Sequence, residues 1–261
     1  MYLLTSRSEA LTMDVRSSVL TYLRENENVH LTVDDGGATS HGILEKVTLT
    51  TEEAIYHDQT LSPRNIVLEA EDANKTWAYE QQFDFIHCRQ QHRTLNEQWF
   101  FEQSWKFLLP GGWLEMQELC NPLRCDDGTL AANSALSQWG QLLVEASIKM
   151  DRPADNPTRY AKWMRSAGFT NVETVVYKWP INPWSEDENE KLKGLWNLYN
   201  VLDRLHEFTS MLLTKVLGWR QKDVDSLLVD VRAELQDPNV HAYWPVYVVY
   251  GQKPLPETDQ I

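Results

Sequence analysis

The sequence predicts an α/β fold on a largely parallel sheet. Three observations carry this. Short β-rich runs alternate with amphipathic helical segments through the first 120 residues, the pattern of βαβ units. Several of these runs end in acidic or small residues. A set of long helical periodicities from residue 130 onward is then closed by one more strand.

The elements follow in order. Residues 1–28 read as helical, with Leu11, Val15, Val19 and Leu23 four apart. Residues 29–33 alternate and read as a strand running into the small-residue turn Asp34 to Ser40, with a short helix at 41–47. Residues 54–58 form a second strand ending in Asp58, 65–69 a third and 83–87 a fourth. A helix at 97–109 is closed by Pro110-Gly111-Gly112, and 113–119 is the fifth strand. Beyond it come helices at 130–150 and 160–167 and a strand at 172–179. The Pro- and acid-rich stretch 180–190 reads as a mobile connector. Helices at 192–216 and 223–235 and a strand at 244–250 complete the chain. In the first of these helices Leu192, Leu195, Trp196, Tyr199, Leu202 and Leu205 share a face.

Composition narrows the function. With a formal charge of −14 and no Lys/Arg-rich run, neither nucleic acid nor an anionic membrane surface is an expected partner. No stretch reaches ~18 uninterrupted apolar residues, and the N-terminus lacks a basic region followed by an apolar core, so a cytoplasmic location is expected, with the nucleus left open. Three cysteines, Cys88, Cys120 and Cys125, are odd in number and lack metal-ligand spacing, so they read as buried apolar side chains in a reducing compartment. The seven histidines show neither H-x-H nor H-x-x-x-H spacing, so no metal is expected. No G-x-S-x-G elbow occurs. Eleven tryptophans supply either a ring-rich core or an aromatic-lined pocket.

In open α/β sheets, ligands bind beyond the carboxyl ends of the strands, and four such ends are informative. Asp34-x-Gly36-x-Ala38-x-Ser40 can let a ligand approach the backbone at a helix N-terminus, or be an ordinary turn. Asp58 follows Asp34 at a spacing that suits an acceptor for ribose hydroxyls, or is a solvated turn residue. Glu71 and Asp72 can accept from an exocyclic amine, or cap the next segment. His87 lies at the end of the fourth strand beside Cys88 and Arg89, with Glu115, Gln117 and Glu118 on the fifth. It is either a general base or a buried, hydrogen-bonded histidine. Period-2 alternation turns Cys88 to the opposite face, against a Cys–His pair.

Phe83-Asp84-Phe85-Ile86-His87-Cys88-Arg89 and Leu109-Pro110-Gly111-Gly112-Trp113-Leu114-Glu115-Met116-Gln117-Glu118 resemble the fungal LaeA-like (TAM-domain) class I methyltransferases. So do Gly194-Leu195-Trp196-Asn197, Leu217-Gly218-Trp219 and the run from His241 to Gly251. The resemblance implies a Rossmann-like three-layer sandwich with seven strands, the last antiparallel, under a helical lid. It also implies one domain over residues 1–261: a helical segment at 1–28, a nucleotide-binding half at 29–120 and a substrate and lid half at 121–261.

It implies an S-adenosylmethionine (SAM) site at Asp34, Gly36, Ala38, Ser40, Asp58, Glu71, Asp72 and Arg89. His87 becomes the base for an acceptor hydroxyl, and Glu115 and Glu118 orient groups or face the sulfonium. His92, Trp184, Trp196 and Tyr199 are the expected substrate contacts. The family's D-x-G-x-G-x-G loop is altered here, since its second and third glycines are Ala38 and Ser40. Where only glycine fits, each change costs about 1–3 kcal/mol, so SAM affinity is expected to be weakened or lost. The expected function is methyl transfer to an apolar or aromatic secondary metabolite. The alternatives are a pericyclase, cyclase or isomerase on the same fold, or a non-catalytic regulatory subunit. A homodimer or protein partner stays open.

Overall fold

The computed structural model describes residues 2–5, 44–49, 66–70, 72–91 and 94–256. Seven strands form one sheet: β1 (Tyr2–Thr5), β2 (Leu44–Leu49), β3 (Ile66–Ala70), β4 (Phe83–Arg89), β5 (Leu108–Leu119), β6 (Thr170–Pro180) and β7 (Tyr243–Gln252). Their order is β3-β2-β1-β4-β5-β7-β6. The pairs β2–β3 and β4–β5 are parallel. β1 runs against β2 and β4, and β7 against β5 and β6. Five strands therefore share one direction, and the last is antiparallel, as expected.

Two expectations change in the N-terminal third. Residues 2–5, read as helical, form an interior antiparallel strand, third in the sheet. The stretch read as a short helix lies largely in β2. There Val47 and Thr48 are β-branched, and such side chains lose rotamer freedom in a helix but suit a pleated sheet. The strands expected at 29–33 and 54–58 lie outside the described residues.

Five helices follow: α1 (Glu97–Phe107), α2 (Ala135–Lys149), α3 (Tyr160–Ser166), α4 (Glu188–Ser210) and α5 (Gln221–Gln236). Each of α1, α2 and α4 begins where the sequence offers a cap. Asn96, Ser134 and Asp187 accept backbone N–H bonds from Trp99, Ser137 and Asn189, respectively. Glu234 of α5 adds a long-range cap, accepting from Ala135 N and Leu136 N at 3.0 and 2.9 Å. α4 ends in a π-helical turn, Met211–Val216.

Pro110-Gly111-Gly112 does not cap α1. It forms an irregularity inside β5, with Gly111 at φ +84°, a region that favours glycine. Paired bonds tie it to Lys253: Gly111 N to Lys253 O and Lys253 N to Gly112 O, both 2.8 Å.

The sheet separates two apolar cores. On one face Ile86, Cys88, Leu114, Met116 and Val249 pack with Phe100, Phe101, Tyr160 and Met164 of α1 and α3. On the other side Leu136, Leu143, Leu205, Leu228 and Val231 of α2, α4 and α5 pack with Trp244. Cys88 and Cys120 are buried as expected, but Cys125 is half-exposed. Its thiol donates to Asp127 Oδ1 at 3.1 Å, a turn site outside the apolar cores.

The connector at 180–190 is pinned rather than mobile. Asn182 Nδ2 donates to the carbonyls of Asp237 and Val240, and Trp184 Nε1 donates to Ala242 O at 2.9 Å. Helix α4 sits so close that a Cβ on Gly194 would lie 2.0 Å from the Asn182 carbonyl oxygen. That contact selects the buried stripe Gly194, Leu205 and Thr209. The face read from the sequence is split as a result: Leu192, Trp196 and Tyr199 are 52, 51 and 61% exposed.

Candidate active site

Parallel pairing of β4 with β5 places His87 opposite Glu115. Both are buried, and His87 Nδ1 lies 3.0 Å from Glu115 Oε1. A carboxylate only accepts, so the imidazole donates through Nδ1–H. Phe85 stacks on His87 at 6.2 Å. Glu118 lies three residues from Glu115 and therefore faces the opposite side of the pleated strand. It is fully buried and accepts from Gln91 N at 2.7 Å. Burial and then the Glu118 charge push the Tyr160 hydroxyl well above its usual range, and the same two causes raise the Cys88 thiol. The three expected catalytic residues thus divide into a paired two and a separate Glu118 among α1 and α3 side chains.

Beyond the carboxyl ends of β4 and β5 lies a cavity of about 620 Å³. Arg89 is two residues past His87 on the same face, a step of about 7 Å. Its guanidinium stands 5.8 Å from the Trp179 ring centroid, and both residues line the cavity. Arg89, expected on the cofactor side, is thus part of the cavity wall. Trp139 of α2, Trp196 and Phe208 of α4 and Trp244 of β7 complete an aromatic enclosure. Trp139 Nε1 donates to Thr209 Oγ1 at 2.9 Å, fixing α2 against α4.

Of the expected substrate contacts, Trp196 lines the cavity, whereas Tyr199 and Trp184 are not among its lining residues. Trp184 stacks on His241 at 5.0 Å. His241 in turn meets Asp127, whose carboxyl is held well below the usual carboxylate range by donors from Cys125, Thr129 and His241. Asp72 forms a turn, its Oδ1 accepting from Asn74 N at 3.0 Å. Asp34, Gly36, Ala38, Ser40, Asp58, Glu71 and His92 lie outside the described residues.

Sequence reasoning missed Trp139, Trp179, Trp244, Asn121 and Arg204 as lining residues. The only signal was the tryptophan count, which carries no positions. Among the described residues no cluster of His, Cys, Asp and Glu could hold a metal, and no helix is long and apolar enough to cross a membrane.

A buried His–Glu pair on β4 and β5 thus lies near a ring-lined crevice that Arg89, two residues on from His87, helps to wall. The chain is 59% identical over 198 residues to the probable methyltransferase tdiE of Emericella nidulans, covering 76% of this chain and 62% of that one. It is 33% identical over 195 residues to the methyltransferase pytC of Aspergillus terreus, covering 74% and 60%. It is 31% identical over 199 residues to the secondary metabolism regulator laeA of Monascus pilosus, covering 74% and 54%. Among solved structures, a phosphoethanolamine N-methyltransferase 2 of Haemonchus contortus matches with TM-score 0.40 and 14% identity over 73% of this chain and 38% of that one. No family model matches. The chain is thus similar to two fungal methyltransferases and a fungal secondary metabolism regulator, and it spans 54 to 62% of the length of these three relatives.

Proposed function

We propose that the protein transfers the methyl group of SAM to a small aromatic secondary metabolite held in the tryptophan-lined cavity. The observation that carries this is the His87–Glu115 pair one pleat behind that cavity, at the carboxyl ends of β4 and β5. Kinship with tdiE and pytC supports the reaction class.

The described residues fit a polar cosubstrate along the same strand ends. Gln117 Oε1 is buried there with no hydrogen-bond partner, an acceptor that an amine or hydroxyl donor would satisfy. Asp34, Gly36, Ala38, Ser40, Asp58, Glu71 and Asp72 are the residues proposed to hold SAM. Bound SAM supplies an electrophilic methyl group. The chain's own contribution is orientation by the ring walls and removal of the acceptor proton. Glu115 fixes the His87 tautomer, and His87 Nε2 takes the proton from the acceptor hydroxyl.

A second reading rests on Ala38 and Ser40. If they close the SAM loop, the same cavity orients a reactive substrate for cyclisation or isomerisation without methylation.

Calorimetric titration decides between the two. One-to-one binding of SAM and S-adenosylhomocysteine, lost in Asp58→Ala, is the expected result. No heat with either ligand at millimolar concentration, together with turnover of a substrate in the absence of SAM, overturns the methyl-transfer reading.

A further inference from the structure

The protein carries a formal charge of −14, yet its cavity has the opposite character. Among the described residues Arg89 and Arg204 line it, and no Asp or Glu does. Among the described residues neither arginine has a carboxylate partner within ion-pair distance. Arg89 is instead held over the Trp179 ring, which leaves its N–H groups available to an acceptor. Both arginines are exposed residues, and among the described residues they stand without a carboxylate partner at one aromatic crevice.

A second observation points the same way. Asn121, two residues past the end of β5, lines the cavity and is 2% exposed. Its backbone N–H is satisfied by Ala154 O at 3.0 Å, but its side-chain Nδ2 and Oδ1 are both buried without a partner. Buried carboxamides in folded proteins are almost always paired, and an unpaired one carries a desolvation cost until something pairs it. Leu119, Trp139, Leu143 and Trp244 give the walls an apolar and aromatic part, and Gln90, Asn197 and Asn200 add neutral polar groups.

We propose that this cavity selects a planar aromatic acceptor that is an anion. A carboxylate or ionised hydroxyl of the acceptor binds Arg89 and Arg204, the ring system lies among the tryptophans, and the Asn121 carboxamide hydrogen-bonds a polar group of the acceptor. The inference rests on the cavity being the acceptor site, and it sharpens that reading from aromatic to anionic aromatic.

The test uses quenching of tryptophan fluorescence by 2-naphthoate, 2-naphthol and the neutral isostere 2-naphthamide, with the full chain. Naphthoate is expected to bind at least about tenfold more tightly than naphthamide, as a charge-assisted contact predicts. Arg89→Gln with Arg204→Gln brings naphthoate down to the naphthamide level without changing naphthamide. Asn121→Leu weakens both ligands by a similar factor. The naphthol arm separates the two anion sources: tighter binding as pH rises toward its ionisation marks an oxyanion site, and flat binding marks a carboxylate site.

Equal affinity for naphthoate and naphthamide overturns the proposal, as does an unchanged ratio in the double arginine variant. Absence of binding by all three in a chain with a native circular dichroism spectrum also overturns it. A preserved naphthoate preference in a protein that binds no SAM leaves the anion site standing and removes only the methyl-transfer reading.

Discussion

Glu115→Gln lowers the turnover number about a hundredfold or more while leaving the fold intact. The polarity of one hydrogen bond decides this. Glu115 Oε1 lies 3.0 Å from His87 Nδ1, so the carboxylate holds the Nδ1–H tautomer, in which Nε2 is the nitrogen proposed to take the acceptor proton. A glutamine of the same shape can instead donate its amide N–H to Nδ1. The proton then moves to Nε2, and the base is lost without any loss of packing. General-base removal costs roughly 10²–10⁴-fold in rate, and His87→Asn should fall in the same range. A structural role for the pair would move melting temperature and leave turnover alone, so both are measured, with the pH–rate profile. Full activity in Glu115→Gln, with an unchanged profile, would show that the pair is structural.

Gly194→Ala should lower the melting temperature by several degrees and weaken acceptor binding together. Alanine is normally the better helix former by up to about 1 kcal/mol, so the naive expectation is stabilisation. Here the added methyl would sit 2.0 Å from the Asn182 carbonyl oxygen and 2.6 Å from its carbon. Neither can yield easily, because Asn182 is tied to Asp237 and Val240. Helix α4 must retreat by about an ångström to restore ordinary contact, and overpacking of this kind costs about 1–3 kcal/mol. For a chain of this size each kcal/mol moves the midpoint by about 2–4 °C. The same displacement shifts Trp196, Asn197 and Asn200, which wall the cavity. Thermal unfolding and naphthoate affinity report the two effects. A raised melting temperature would mean that α4 is not clamped at this point.

The parts of the fold legible in the sequence were those written in local pattern. β4, β5 and the five helices follow from apolar periodicity, while the caps Asn96, Ser134 and Asp187 emerged only from the structure. The His87–Glu115 pair was visible as two candidates on neighbouring strands, and their period-2 spacing already separates Glu115 from Glu118. The cavity was not legible. Trp139, Trp179, Trp196 and Trp244 come from four elements spread over about a hundred residues, and only tertiary packing brings them together. Helix α4 misled for a related reason: the tight approach at Gly194, not the apolar count, decides which stripe is buried. At 44–49 the β-branched pair Val47-Thr48 outweighed the turn-to-helix reading.

The most direct measurement is S-adenosylhomocysteine release, followed by mass spectrometry, when purified protein is incubated with SAM and a panel of planar aromatic acids and phenols. The account predicts stoichiometric release coupled to a singly methylated acceptor, abolished in Glu115→Gln. Conversion of an acceptor that proceeds unchanged when SAM is omitted, with no methylated product, would contradict it.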